Sequence, residues 1–289
     1  MNRFFFYKNH ATTVFLLLCS LFLPVSARAD GLPAIDDGEG FGLFSYHKTK
    51  DFKFYLDDRG VGVLLLSKKG KGGYVGKDYT IKVTPRLMHL NSSGEKKVKR
   101  FRVASFKSKV PTVEDVEQSY TVEATGGVKL QFDVKYEEGR IMLNAKVLSS
   151  GEMKREDLLV GYEVKVPAMY TKRHKEMDLK ERRKIMRRDK VSLIKAKGGE
   201  KVVIKSYEGV DLSSSGLAEG GVSRWSAKIG AQEGKKLIFT TVGGDYSFDM
   251  KTKDLVPCWE GYTVHWGSPL SEPLSEEEYN ESAFVIEID

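Results

Sequence analysis

Past residue 29 the sequence holds four histidines, His47, His89, His174 and His265, the side chains best suited to moving protons near neutral pH. No two of them stand at metal-ligand spacing, so the pattern gives no support for zinc and calls for no cofactor. His89 and His265 fall on or beside predicted strands. Paired with a glutamate, either would suit proton transfer at a sugar carbon. The competing reading for each is a structural histidine. Glycosidases need two carboxylates about 5–10 Å apart. Asp36, Asp37 and Glu39, or Asp245 and Asp249, qualify by composition, but acidic residues are common in loops. Cys258, between Pro257 and Trp259, reads as a small buried apolar group with nothing nearby to activate it. The loop Gly70–Lys77 (GKGGYVGK) is not a phosphate loop: Lys71 stands where a glycine is required, and Asp78 where Ser or Thr is required.

The segment 259–266 (WEGYTVHW) is the second chemical feature. On a strand, Trp259, Thr263 and His265 share one face, and Tyr262, Val264 and Trp266 the other. An exposed face would give a sugar ring an aromatic platform, with Glu260 or His265 as polar partners and Trp225 nearby. The alternative is that these aromatics fill a thick core.

The third feature is basic. Residues 171–190 (TKRHKEMDLKERRKIMRRDK) carry ten Lys or Arg against four Asp or Glu. Lys172, Arg173, Arg182, Arg183, Arg187 and Arg188 are its candidate anion-binding residues. Asp178 is placed to cap a helix over 179–188, and Leu179, Ile185 and Met186 form a narrow apolar stripe. The functional reading is a site for an anionic polysaccharide, a phosphate-bearing polymer or an acidic partner. The other reading is a solvated connecting helix.

Strands must position all three. Val128, Leu130, Phe132 and Val134 alternate with Lys129, Gln131, Asp133 and Lys135, which is the period of a strand with one wet face. The rhythm resumes at Ile141, Leu143, Ala145 and Val147, and again at Tyr162, Val164 and Val166. Gly126-Gly127 and Glu138-Gly139 supply hairpin turns. Upstream, strands are expected over 52–56 and 61–66, from Tyr79 to a stop at Pro85, and over 98–106. Downstream, they are expected over 191–194, 202–204, 223–229, 237–242, 262–266 and 284–288, with a short helix near 274–280. About a dozen evenly spaced strands and almost no helix predict an all-β chain: a large antiparallel β-sandwich with one basic helical or loop excursion near 171–190.

The first 29 residues have the form of a bacterial export signal. Arg3 and Lys8 precede the apolar run 14–23, and Ala27-Arg28-Ala29 precedes a cleavage point. The run is short for a membrane span, and no later segment could cross one. The expectation is a signal peptide over 1–29 and a single domain over 30–289, periplasmic or secreted, which leaves nucleic acid a poor partner. Residues 30–289 hold 44 basic and 40 acidic residues, a net of +4, against +6 in 171–190 alone. The positive charge is therefore local.

The strand series, the export signal and the late Trp-bearing strand together resemble, at the level of fold, the large carbohydrate-handling sandwiches of the galactose-mutarotase type. That resemblance implies a super-sandwich and a carbohydrate ligand; it does not fix an activity. The expected function is a non-catalytic exported protein binding a glycan or another envelope component. Two alternatives stand beside it: a carbohydrate-active enzyme of epimerase or lyase type using His and carboxylate chemistry, and an assembly protein docking an acidic partner through 171–190.

Overall fold

The computed structural model describes residues 43–57, 59–70, 72–76, 79–90, 96–99, 101–106, 116–167, 177–208, 216–217, 219–228, 234–243, 248–252, 261–269 and 276–289. Among these are seventeen strands. The first half holds β1 (Leu43–Lys48), β2 (Phe52–Asp57), β3 (Gly62–Leu66), β4 (Ile81–Leu90), β5 (Lys96–Lys99), β6 (Phe101–Phe106), β7 (Glu117–Ala124), β8 (Val128–Glu137) and β9 (Arg140–Ser149). The second half holds β10 (Leu158–Val166), β11 (Lys190–Lys195), β12 (Lys201–Lys205), β13 (Val222–Lys228), β14 (Lys236–Val242), β15 (Phe248–Thr252), β16 (Tyr262–Pro269) and β17 (Ala283–Ile288). Two short helices, α1 (Leu179–Met186) and α2 (Glu276–Glu281), interrupt them. No helix among the described residues is long and apolar enough to cross a membrane.

Every strand pairing is antiparallel, and the pairings make two large sheets. One runs β1–β2–β3–β4–β10–β16–β15, with β5 beside β3 on the same edge of β4. The other runs β6–β7–β8–β9–β17–β14–β13–β11–β12. Among the described residues one bridge, Val222 opposite Phe248, joins them.

The alternation in sequence explains which face is covered. Along β8, Val128, Leu130, Phe132, Val134 and Tyr136 are buried, while Lys129 and Lys135 are exposed. The inner faces of the two sheets meet through aromatic rings. Phe132 lies edge-on to Tyr162 at 5.4 Å, Trp266 stacks on Phe284 at 5.9 Å, and Phe54 meets Tyr136 at 5.7 Å. Tyr120 O–H crosses to the Gly60 carbonyl at 3.2 Å, which satisfies the one polar atom this ring brings inside.

Two expectations about strand ends are corrected. Pro85 does not stop β4, which continues to Leu90. β3 pairs only as far as Val83 and β5 only from Leu87, so Pro85 sits in the gap between them. No partner on that edge misses the absent N–H. The expected strand over 98–106 is two strands: β5 pairs with β4 in one sheet and β6 with β7 in the other. The chain changes sheets there, and a switch of partner leaves no mark in alternation alone.

The basic stretch, described from residue 177, is helical over Leu179–Met186, two residues short of the expected end at 188, and Lys190 already begins β11. Asp178 caps α1 by accepting from the Glu181 N–H at 2.8 Å. Met186 is fully buried, but Leu179 and Ile185 are 55% and 46% exposed, so the docking stripe reduces to one side chain.

Candidate functional site

On the outer face of the nine-stranded sheet, register brings Ser119 of β7, Asp133 of β8 and Asn144 of β9 into one row. The Asp133 carboxylate accepts from three neutral donors. Ser119 O–H donates to Oδ1, Tyr279 O–H donates to Oδ2, and Gln131 Nε2 lies 2.9 and 2.8 Å from the two oxygens. Asn144 ties the same place to the C-terminal segment: its Nδ2 donates to the carbonyls of Tyr279 at 2.6 Å and Ser282 at 2.7 Å. Lys146 lies over the Tyr279 ring, 4.2 Å from its centre. From the inner side, Tyr162 O–H lies 3.2 Å from the carbonyl oxygens of both Asp133 and Asn144.

These contacts seat α2 on the sheet. Beside it opens a cleft of about 100 Å³, formed by Glu117, Asp133, Lys135, Met142, Asn144 and Tyr279 among others. Burial, helped by the charge of Asp133 and the bond to it, raises the Tyr279 phenol far above its ordinary range. The phenol therefore stays protonated and the carboxylate stays occupied. Glu117 and Lys135 are the exposed charged groups of the cleft, with Lys135 Nζ 3.5 Å from Glu137. Met142 and Ala283 give it apolar wall.

The sequence-predicted residues fall elsewhere. Trp225 is fully buried, 5.5 Å ring to ring from Tyr262, and offers no platform. Its Nε1 is buried without a hydrogen-bond partner among the described residues. The reason is its parity on β13, whose inward positions are Trp225 and Ala227. Trp266 is likewise core, while Thr263 and His265 are half-buried on the opposite face of β16. Trp259 and Glu260 lie outside the described residues, as do Cys258, His174, Lys172, Arg173, Asp36, Asp37, Glu39 and Asp245. Arg183, Arg187 and Arg188 are exposed, and Arg183 sits 5.8 Å from the Tyr207 ring centre; Arg182 is half-buried.

His89 and His265 do not converge. His89 follows the inward series Ile81, Val83, Pro85 and Leu87, and pairs with Leu158. His265 pairs with Glu163, five residues further along β10 and on the other face. Glu163 is in turn gripped by Arg86, with contacts of 3.1 and 3.4 Å. Among the described residues no group of three His, Cys, Asp or Glu is placed to hold a metal ion.

Sequence reasoning placed Gln131, Asp133 and Lys135 on a wet face and stopped there. The outward Ser119 on the neighbouring strand was the available signal. Nothing in the local pattern of α2 pointed back to them. The sequence matches no protein-family model and no curated protein.

Proposed function

We propose that this chain is an exported, non-catalytic β-sandwich protein that binds a glycan or another cell-envelope component at the cleft beside Tyr279. The leader-like first 29 residues support export. Two large antiparallel sheets with ring contacts between their inner faces support a sandwich, and a mutarotase-like super-sandwich is the form we favour.

One observation carries the binding reading: the Asp133 carboxylate is held by three neutral donors at the base of an open cleft. A group that moves protons needs a free lone pair and an ionisation near the working pH. Asp133 has its oxygens occupied, and Tyr279 keeps its proton. The network works as a rigid floor. Beside it, one row along the same face, Glu117 accepts and Lys135 donates, and Met142 and Ala283 offer an apolar wall. Sugars need those three elements together: acceptors and donors for hydroxyls, and an apolar surface for the C–H face.

The enzyme alternative has less behind it, because His89 and His265 stand on opposite faces and Glu163 is committed to Arg86. A screen of the purified protein against neutral and uronic hexasaccharides tests the proposal. Saturable binding to at least one is expected. Binding to none, by a protein that melts cooperatively, overturns it.

A further inference from the structure

Four lysines stand in one row across four neighbouring strands of the nine-stranded sheet. Lys205 of β12 is opposite Lys190 of β11, Lys190 is opposite Lys228 of β13, and Lys228 is opposite Lys236 of β14. Residues directly opposite in an antiparallel pair share a face. Lys205, Lys190 and Lys228 are exposed, and Lys236 is half-exposed. Two residues along each strand is a row of Val203, Ser192, Ser226 and the buried Ile238, with the two serine hydroxyls 2.8 Å apart. Two further along, Lys201 and Arg224 flank Ile194, and both are exposed. The result is a grid: a basic row, a neutral row with two hydroxyls at its centre, and a third row that carries Lys201 and Arg224 and ends on Thr240.

Such a row is costly in isolation. Adjacent strands are about 4.8 Å apart, inside the Debye length of about 8 Å at physiological salt. Like charges directly opposite destabilise a sheet. The described neighbours relieve the ends only: Lys205 reaches Glu208 at 3.6 Å and Lys236 reaches Asp289 at 4.0 Å. Lys190 and Lys228, in the middle, form no ion pair among the described residues. Lysine on an edge strand is a common guard against edge-to-edge pairing, and that explains Lys201 and Lys205 on β12. It does not explain Lys228 and Lys236, whose strands are paired on both sides.

We infer that this grid is a docking surface for a linear, uronate-bearing glycan lying across the strands. The strand spacing, about 4.8 Å, is close to the length of one pyranose unit in an extended chain. A lysine is thus offered for each successive sugar over three spacings, about 14 Å. Carboxylates would meet the lysine row while ring hydroxyls meet Ser192 and Ser226. A bilayer surface is a poorer occupant, since interfacial binding gains from inserted apolar side chains and the grid exposes only Val203 strongly. Arg187 and Arg188, both exposed, stand three and two residues before Lys190, with the buried Asp189 between. The inference stands apart from the Tyr279 cleft: it uses the same sheet face but no residue in common, although its last strand, β14, pairs with β17, whose Ala283 lines the cleft.

The experiment is a binding titration of the purified protein with polygalacturonate, against its fully methyl-esterified form as the neutral probe. Saturable binding to the acidic polymer alone is expected, weakening steeply with added salt. Lys190→Gln combined with Lys228→Gln should weaken it roughly twenty-five-fold, or about five-fold per lysine, the effect of one lysine at an anionic surface. Lys68→Gln combined with Lys69→Gln, on an exposed turn elsewhere, removes the same charge and should change affinity less than two-fold. All four substitutions are exposed, and the charge-reversing Lys228→Glu provides a second variant with a larger expected loss. Equal loss in both double variants, retention of affinity in the grid variants, or tighter binding to phosphatidylglycerol vesicles or polyglutamate would each overturn the inference.

Discussion

The Tyr279 phenol donates a hydrogen bond to the carboxylate of Asp133, 146 residues away in the chain. This bond, with Asn144 reaching the carbonyls of Tyr279 and Ser282, fixes α2 to the outer face of the nine-stranded sheet. It also closes one side of the cleft.

Tyr279→Phe keeps the ring and removes the donor. Hydrogen bonds to charged groups contribute about 1.5–3 kcal/mol, so thermal unfolding should show a loss of about that size. Asn144→Ala should lose a similar amount, because the Ser282 carbonyl loses this donor and the Tyr279 carbonyl keeps only its local bonds from Ser282. A double variant that loses much less than the sum of the two would show that they act as one fastening.

Three tyrosines set an alkaline limit. Burial, as the largest cause, holds the phenols of Tyr120, Tyr162 and Tyr279 well above their ordinary value of 10.0. The folded chain keeps protons that the unfolded chain releases as pH passes 10, so their contribution is whole below that pH and falls as pH rises. Phenolate absorbance should show these three ionising only as the fold is lost. Their free titration with circular dichroism unchanged would contradict the burial described.

His47 sets an opposite limit. It stacks on Tyr136 at 4.7 Å, and burial lowers its pKa below the ordinary 6.5. Protonation therefore favours the unfolded chain, and stability present above pH 6.5 should erode as pH falls below it. His47→Phe should flatten that part of the profile, measured as denaturation midpoint against pH.

Gly161 and Gly267 face each other where β10 meets β16. A Cβ on Gly161 would fall on the Trp266 carbonyl oxygen, a main-chain atom with no freedom to move aside. Gly161→Ala should cost about 3 kcal/mol or more, beyond the common range for a single substitution. Gly70→Ala, with nothing near its would-be Cβ, provides the comparison, although its positive φ adds some strain.

The β character was legible because period-two alternation is strictly local, and β7 to β10 could be read almost residue by residue. Pro85 misled because proline's effect depends on which neighbour faces it, and that is settled by β3 and β5 together. Trp225 misled because an aromatic on a strand is equally compatible with either face until the inward partner is known. The cleft was invisible for a further reason. Ser119, Gln131 and Asp133 lie close in sequence, but Tyr279 and Ser282 reach them only through the pairing of β17 with β9. The lysine row was hidden likewise: four lysines scattered over 190–236 become neighbours only once the register of four strands is fixed.

The central claim is that the outer face beside Tyr279 holds a sugar. The most direct measurement is a calorimetric titration of the tightest-binding hexasaccharide into the parent protein and into Glu117→Gln combined with Lys135→Gln. Both side chains are exposed, so the variant should melt within about 0.5 kcal/mol of the parent. The account predicts affinity reduced at least ten-fold with the fold intact. Unchanged affinity in the folded variant would contradict it.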